Sequence, residues 1–238
     1  MGLRRSGALT PETSVDWQAI ALTLKLATVV CAALMLIGLP LAYWLTFSRW
    51  RWKFLVESVV ALPLVLPPTV LGFYVLVAIG ARSPIGQVWT TWFGHGLAFT
   101  FEGLVIASML YSLPFAVQPI AAAFSQVDPA LLEASSTLGA SRPRTFARVV
   151  MPLSLKGVLT GAILSFAHTI GEFGVVVMVG GNVPGVTRTV SISIYDDVQA
   201  LDYASANATA LLLVAFSFVV LALVYALNRK VWAAQPKP

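Results

Sequence analysis

His168 and Glu172 stand four residues apart in an apolar run, HTIGEFGVVVMVGG. On a helix that spacing places them one turn apart on one face. There an imidazole and a carboxylate could relay a proton or bind one another. Ionisable groups in such surroundings are costly, and they face protein or water rather than lipid. Lys25 and Glu57 sit in two other apolar runs and could join a relay. Other chemistry finds no residues to carry it. A phosphate-binding loop needs Gly-x-x-x-x-Gly-Lys-Ser/Thr, whereas Lys156, for example, is followed by Gly157. If ATP drives this protein, another chain must bind it. His95 and His168 are far apart and Cys31 is the single cysteine, so neither a metal cluster nor a disulfide framework is expected. No nucleophile–base–acid set can be assembled.

The elements that hold these residues are membrane spans. The 238-residue chain is 58% hydrophobic and 11% charged, with mean hydropathy +0.84; a soluble domain carries about 25% charged residues. Five runs reach the roughly 20 apolar residues a spanning helix needs. They cover about Trp17–Phe47, Phe54–Gly80, Leu97–Phe124, Leu153–Gly180 and Asn207–Leu227. Continuous rather than alternating hydrophobicity argues against a barrel. The expectation is an all-α integral membrane protein with five transmembrane helices in a single domain over residues 17–228. A tail over 1–16 and another over 229–238 flank it. The first tail has no signal-peptide core. A short helix is expected within Thr187–Gln199. Pro63, Pro67 and Pro68 in LPLVLPPTVLG break the hydrogen-bond ladder of span two, as a kink at a path or as a packing bend. Gly157 and Gly161 form GxxxG in span four, as a dimer seam or as internal packing.

Basic residues orient the chain. Arg49, Arg51, Lys53, Arg142, Arg144, Arg148, Lys156, Arg229, Lys230 and Lys237 fall on one side, and Arg4, Arg5, Arg82 and Arg188 on the other. The ten-to-four bias places the N-terminus outside and the C-terminus in the cytoplasm. Depth counting at about 1.5 Å per residue sets Lys25 and Glu172 each roughly 12 Å below the outer surface. A structural ion pair between them is expected, with His168 the competing partner.

Between spans three and four lies DPALLEASSTLGASRPRTFARVVMPL, Asp128 to Leu153. Asp128 can cap one helix with Pro129 in its first turn. Gly139 suits a left-handed C-terminus. Ser141 can cap a second helix, with Pro143 in its first turn, and Pro152 ends the run. Two short helices with a glycine corner read as a docking element for a partner groove.

This stretch resembles the cytoplasmic EAA loop of the permease subunits of ABC importers: Glu-Ala-Ala, three residues, Gly, nine residues, Ile, one residue, Leu-Pro. Here the matching positions are Glu133, Ala134, Ser135, Gly139, Val149, Met151 and Pro152, with Ser135, Val149 and Met151 the departures. LPLVLPP and GEFG further resemble the molybdate permeases. The resemblance implies an ABC importer permease fold with a cytoplasmic coupling-helix pair at 128–152, in the bacterial inner membrane. It implies a permease homodimer, two ATP-binding subunits carrying ATP and Mg at the cytoplasmic face, and an oxyanion-binding protein outside. It implies no enzyme activity, cofactor or nucleic-acid partner of the chain's own, and a path or gate at Pro67, Pro68, Thr69, His168 and Thr169. The cargo implied is molybdate, with sulfate, thiosulfate or tungstate as alternatives. An ion-coupled carrier relaying through Lys25, Glu57, His168 and Glu172, or a scaffold without transport, would fit the bare residues.

Overall fold

The computed structural model describes residues 15–232, with side chains through Ala226. Residues 1–14, with Arg4 and Arg5, and residues 233–238, with Lys237, lie outside the described residues, so the expected tails fall largely there. The described chain is helical, without a strand.

The first span is α1, Trp17–Phe47, 31 residues or about 46 Å long. Asp16 caps it by accepting the Ala19 amide at 2.9 Å. Its buried stripe, Thr23, Leu26, Ala27, Val30, Leu34, Gly38, Ala42 and Leu45, recurs every three to four residues as one helix face requires.

The expected second span is two helices. α2, Lys53–Ala61, passes through a 3₁₀ turn, Leu62–Leu64, before α3, Pro68–Ile79, takes over. The halves meet at 113°. Pro63, Pro67 and Pro68 supply no amide donors, so the ladder cannot continue across them. α4, Pro84–Phe93, follows, capped by Ser83 and closed by left-handed Gly94. It has no counterpart among the elements expected from the sequence.

Then comes α5, Phe101–Ser125, the third span. α6, Pro129–Thr137, and α7, Arg142–Thr145, form the expected hairpin. α7 does not stop at Pro152. It runs through a π-helical segment, Phe146–Val150, into α8, Met151–Ile170. Met151 N–H bonds to Phe146 O, five residues back. The wider turn accommodates a proline that lacks a donor and crowds the carbonyl four residues before it. The fourth span is also broken: after Gly171–Phe173 the chain resumes as α9, Gly174–Gly180. α10, Val190–Gln199, is the expected short helix, and α11, Tyr203–Trp232, is the last span.

Helices α1, α5 and α8 form the centre. Gly157 and Gly161 are internal packing positions: a Cβ on Gly157 would meet Ala123 Cβ at 2.2 Å, and one on Gly161 would meet Ala116 O at 2.7 Å. At the hairpin end, Ala42, Leu45, Val60, Ile120, Phe124 and Val150 form one buried cluster. Val75, Ile79, Leu97, Ala107, Val175 and Val179 form another at the far end. The far-end loop is tied down by polar contacts. Val190 N–H donates to Thr23 Oγ1 at 2.9 Å, and Thr187 Oγ1 donates to Gly180 O at 2.7 Å. Asp196 accepts from Asn182 Nδ2 at 2.7 Å and pairs with Arg188. That carboxylate holds the Arg188 guanidinium above its ordinary pKa, while burial and then Asp202 push the neighbouring Asp197 carboxyl up.

Candidate functional site

The hairpin is built as its residues dictate. Asp128 Oδ1 accepts the Ala130 amide at 2.9 Å. Gly139 takes φ +74°, and its amide bonds to Ser136 O at 2.9 Å while Ala140 N bonds to Ser135 O at 3.1 Å. These bonds satisfy the last carbonyls of α6. Ser135 Oγ lies 2.8 Å from Thr145 Oγ1 and ties α6 to α7. Ser141 occupies the N-cap position of α7, but its side chain makes no capping bond. Glu133, Ala134, Gly139 and Pro152 are exposed, and Val149 and Met151 half-buried. Leu138 is 86% exposed, an apolar side chain at the corner that the described residues leave uncovered. Phe146 roots the hairpin in the bundle, its ring 5.1 Å from Tyr43 and 5.8 Å from Phe124. The base of the hairpin is thus packed against both α1 and α5.

The second constellation lies where the two broken spans meet. A Cβ on Gly174 would stand 2.7 Å from Pro68 Cβ and 3.5 Å from Thr69 N, and one on Gly72 would stand 2.8 Å from Met178 Cβ. So α3 and α9 start together and run side by side. Pro67 and Thr69 are exposed and Pro68 half-buried at this start. Beside it, near the midpoint of α5, Ser112 Oγ lies 3.0 Å from His168 Nδ1 and 3.0 Å from Thr169 Oγ1. Thr169 Oγ1 also donates to Ser165 O at 2.9 Å. The His168 ring stacks on Phe115 at 3.9 Å and touches Tyr111 at 4.8 Å. The structure thus brings Pro67, Pro68 and Thr69 onto one helix break, and His168 and Thr169 onto one α5 serine. Ser112, Tyr111 and Phe115 are residues that sequence reasoning missed. The available signal is polar Ser108 and Ser112, one turn apart within an apolar span.

The expected ion pair does not form. Lys25 Nζ lies over the Phe101 ring at 4.6 Å, and Lys25 is exposed while its neighbours Leu26 and Ala27 are buried. Counting depth does not give the helix face. Nor does Glu172 pair with His168, because the helix ends at Ile170 and the one-turn relation ends with it. Glu172 is 3% exposed, and Ser108 Oγ faces its carboxyl in a contact looser than a well-formed hydrogen bond. No ion pair among the described residues includes Glu172, so Glu172→Gln, which keeps the shape of the side chain, will cost no more than about 1 kcal/mol of stability. Glu172→Lys will cost about 3–5 kcal/mol, as an uncompensated buried charge does. Adding Lys25→Glu will not rescue Glu172→Lys, and Lys25→Glu alone will cost no more than a cation–π contact, about 0.5–2 kcal/mol. Quantitative membrane immunoblots of the four variants check this; recovery in the double variant would restore the ion pair.

Among the described residues no group of three or more His, Cys, Asp or Glu could hold a metal. The geometry is that of a helical bundle with two broken helices packed on one another and an exposed helical hairpin rooted at one end. Comparison with known proteins gives the same picture. The family model described as "Binding-protein-dependent transport system inner membrane component" matches residues 18–233. The molybdenum transport system permease protein ModB of Azotobacter vinelandii is 52% identical over 92% of this chain and 97% of its own. The sulfate transport system permease protein CysT of Escherichia coli K12 is 32% identical over 77% of this chain and 66% of its own. A crystal structure of a bacterial alginate ABC transporter, in complex with alginate pentasaccharide-bound periplasmic protein, has a chain that superimposes with TM-score 0.71. The match covers 90% of this chain and 78% of that one at 16% identity, a likeness of fold.

Proposed function

The chain belongs to the family of binding-protein-dependent transport system inner membrane components, and from that premise we propose that it is the permease subunit of an ATP-driven molybdate importer. The observation that carries the cargo is the 52% identity to a molybdenum permease along nearly the whole of both chains, against 32% to a sulfate permease. The chain is a multi-pass protein of the inner membrane and a transport subunit.

In this reading two copies form the pathway, and two ATP-binding subunits hold ATP and Mg at the cytoplasmic face. A binding protein delivers the oxyanion outside. The hairpin end is cytoplasmic, the N-terminus outside and the C-terminus inside. Glu133, Ala134, Ser135, Gly139, Val149, Met151 and Pro152 form the coupling element that docks on the ATPase. Closure of the ATPase pair pushes the hairpin, and Phe146 passes the push to Tyr43 on α1 and Phe124 on α5. The breaks at Pro67–Thr69 and at Gly171–Phe173, the second just after His168 and Thr169, are where the spans open. The exposed start of α3 turns its positive helix end toward a passing anion. Selection among oxyanions falls to the binding protein.

Uptake of labelled molybdate in a strain deleted for this chain tests the reading. Uptake should fail, return with the gene, and resist excess sulfate. Competition by equimolar sulfate would transfer the chain to the sulfate class, and unchanged uptake in the deletion strain would leave only a scaffold. A protonophore that stops uptake while ATP is maintained would point to an ion-coupled carrier. Topology is a separate expectation. A tag after Pro238 should be reached only from the cytoplasm and one before Asp16 only from outside; labelling of both from one side would require an even number of crossings.

A further inference from the structure

Where α1 ends, a cavity of about 1000 Å³ opens between that helix and the hairpin. This is the upper end of the roughly 300–1,000 Å³ typical of small-ligand sites. One wall is the α1 stripe Tyr43, Trp44 and Phe47; the other is Leu132, Phe146 and Val150. At its mouth stand Arg49, from the loop after α1, and Arg142, from the first turn of α7. No carboxylate lines the cavity. The two ion pairs among the described residues lie elsewhere, at Lys53–Glu57 and Arg188–Asp196.

We infer that this groove holds an anionic phospholipid of the inner leaflet, its phosphate between Arg49 and Arg142 and its chains along Tyr43, Trp44 and Phe47. The leaflet rests on the orientation proposed above. Orientation by positive charge needs arginines only somewhere on the cytoplasmic side. Here two distant loops bring them to one opening over an apolar floor. Arg142 is moreover badly placed for its own helix, since a cation at a helix N-terminus opposes the macrodipole. An anion between the two arginines relieves that repulsion. Trp44, Trp50 and Trp52, 39%, 48% and 48% exposed, form the aromatic belt that marks the level of lipid headgroups. Basic pockets between spans on this side suit phosphate headgroups. The corner of the hairpin at Leu138, where an ATPase would dock, is not among the groove's lining residues.

The test uses the assembled transporter in mild detergent, offered equimolar palmitoyl-oleoyl phosphatidylglycerol and phosphatidylcholine and read by native mass spectrometry. Two arginines, at roughly a factor of five each, give an expected preference of about 25-fold for the anionic lipid. Arg49→Gln/Arg142→Gln should bring that preference near unity, while Arg144→Gln/Arg148→Gln keeps it. A photoreactive phosphatidylglycerol on the parent protein should label peptides 39–49 and 142–150, a readout that needs no variant. Equal retention of the two lipids, an unchanged preference in the Arg49/Arg142 variant, or labelling confined to other spans overturns the site. So does a disulfide between copies formed by Pro40→Cys and Ser136→Cys, because a second copy would then fill the groove. None of these readouts measures cargo, so their failure leaves the transport reading standing.

Discussion

Gly157→Leu will remove most of the folded protein from the membrane. A Cβ at position 157 would lie 2.2 Å from Ala123 Cβ and 2.9 Å from Pro119 O. The second of these is backbone, so no side-chain rotation relieves it. Either α5 and α8 separate or one of them bends. Overpacking of this kind costs about 1–3 kcal/mol and sometimes more. Leucine here lies beyond the upper figure, because the added atoms fall between the two helices that make the centre of the bundle. Gly157→Ala will show a smaller loss. Ala123→Gly should restore much of it, because it removes the atom in the way. Membrane abundance and the thermal midpoint in detergent are the measurements. Normal abundance of Gly157→Leu would show that the two helices do not approach as closely as described.

Gly139→Leu will do the opposite: the protein will be present and will not work. No atom lies within 4 Å of a Cβ at Gly139, so space is not limiting. The constraint is φ +74°, which a side chain resists at roughly 1–2 kcal/mol. The corner will relax to another conformation, and the exposed Leu138 beside it will be aimed elsewhere. If the corner docks on the ATPase, ATP hydrolysis stimulated by molybdate-loaded binding protein should fall by at least about tenfold, the factor that 1.4 kcal/mol carries. Gly139→Asn, a residue that tolerates the left-handed region, should keep most of it. Parental stimulation in Gly139→Leu would detach the corner from coupling.

Much of this architecture was legible in the residues. Trp17 and Phe47 bound α1 because the apolar run begins at the one and ends at the other. Asp128, Pro129 and Gly139 bound α6 because each has one local conformational role. What escaped was direction. Hydropathy registers that Phe54–Gly80 is apolar, and prolines register that its ladder fails, but neither carries the 113° turn. Gly171 and Gly174 are equally silent about the break in span four, because glycine is tolerated inside a helix and at its end alike. The Lys25–Glu172 expectation failed for the same reason. Counting residues yields height along an axis, whereas contact also depends on rotation about it. The role of Gly157 and Gly161 could not be read from GxxxG, because the same close approach serves a partner chain or a neighbour in the same chain.

The clasp of α3 on α9 bears on how the chain is made. At 12 residues, or about 18 Å, α3 cannot cross a hydrocarbon layer of about 30 Å. α9, with 7 residues, is shorter still. Neither can span alone, and each lies against the other at its break. Yet α3 leaves the ribosome roughly 100 residues before α9, some 5–20 s earlier at ordinary rates of synthesis. During that interval Pro68 and Thr69 have no Gly174 to rest on. The translocon or an insertase must shelter the open bend until the second half-helix arrives. Ribosomes stalled before residue 174 should therefore leave the segment around Pro68 open to protease or to a thiol probe, and release of the finished chain should close it.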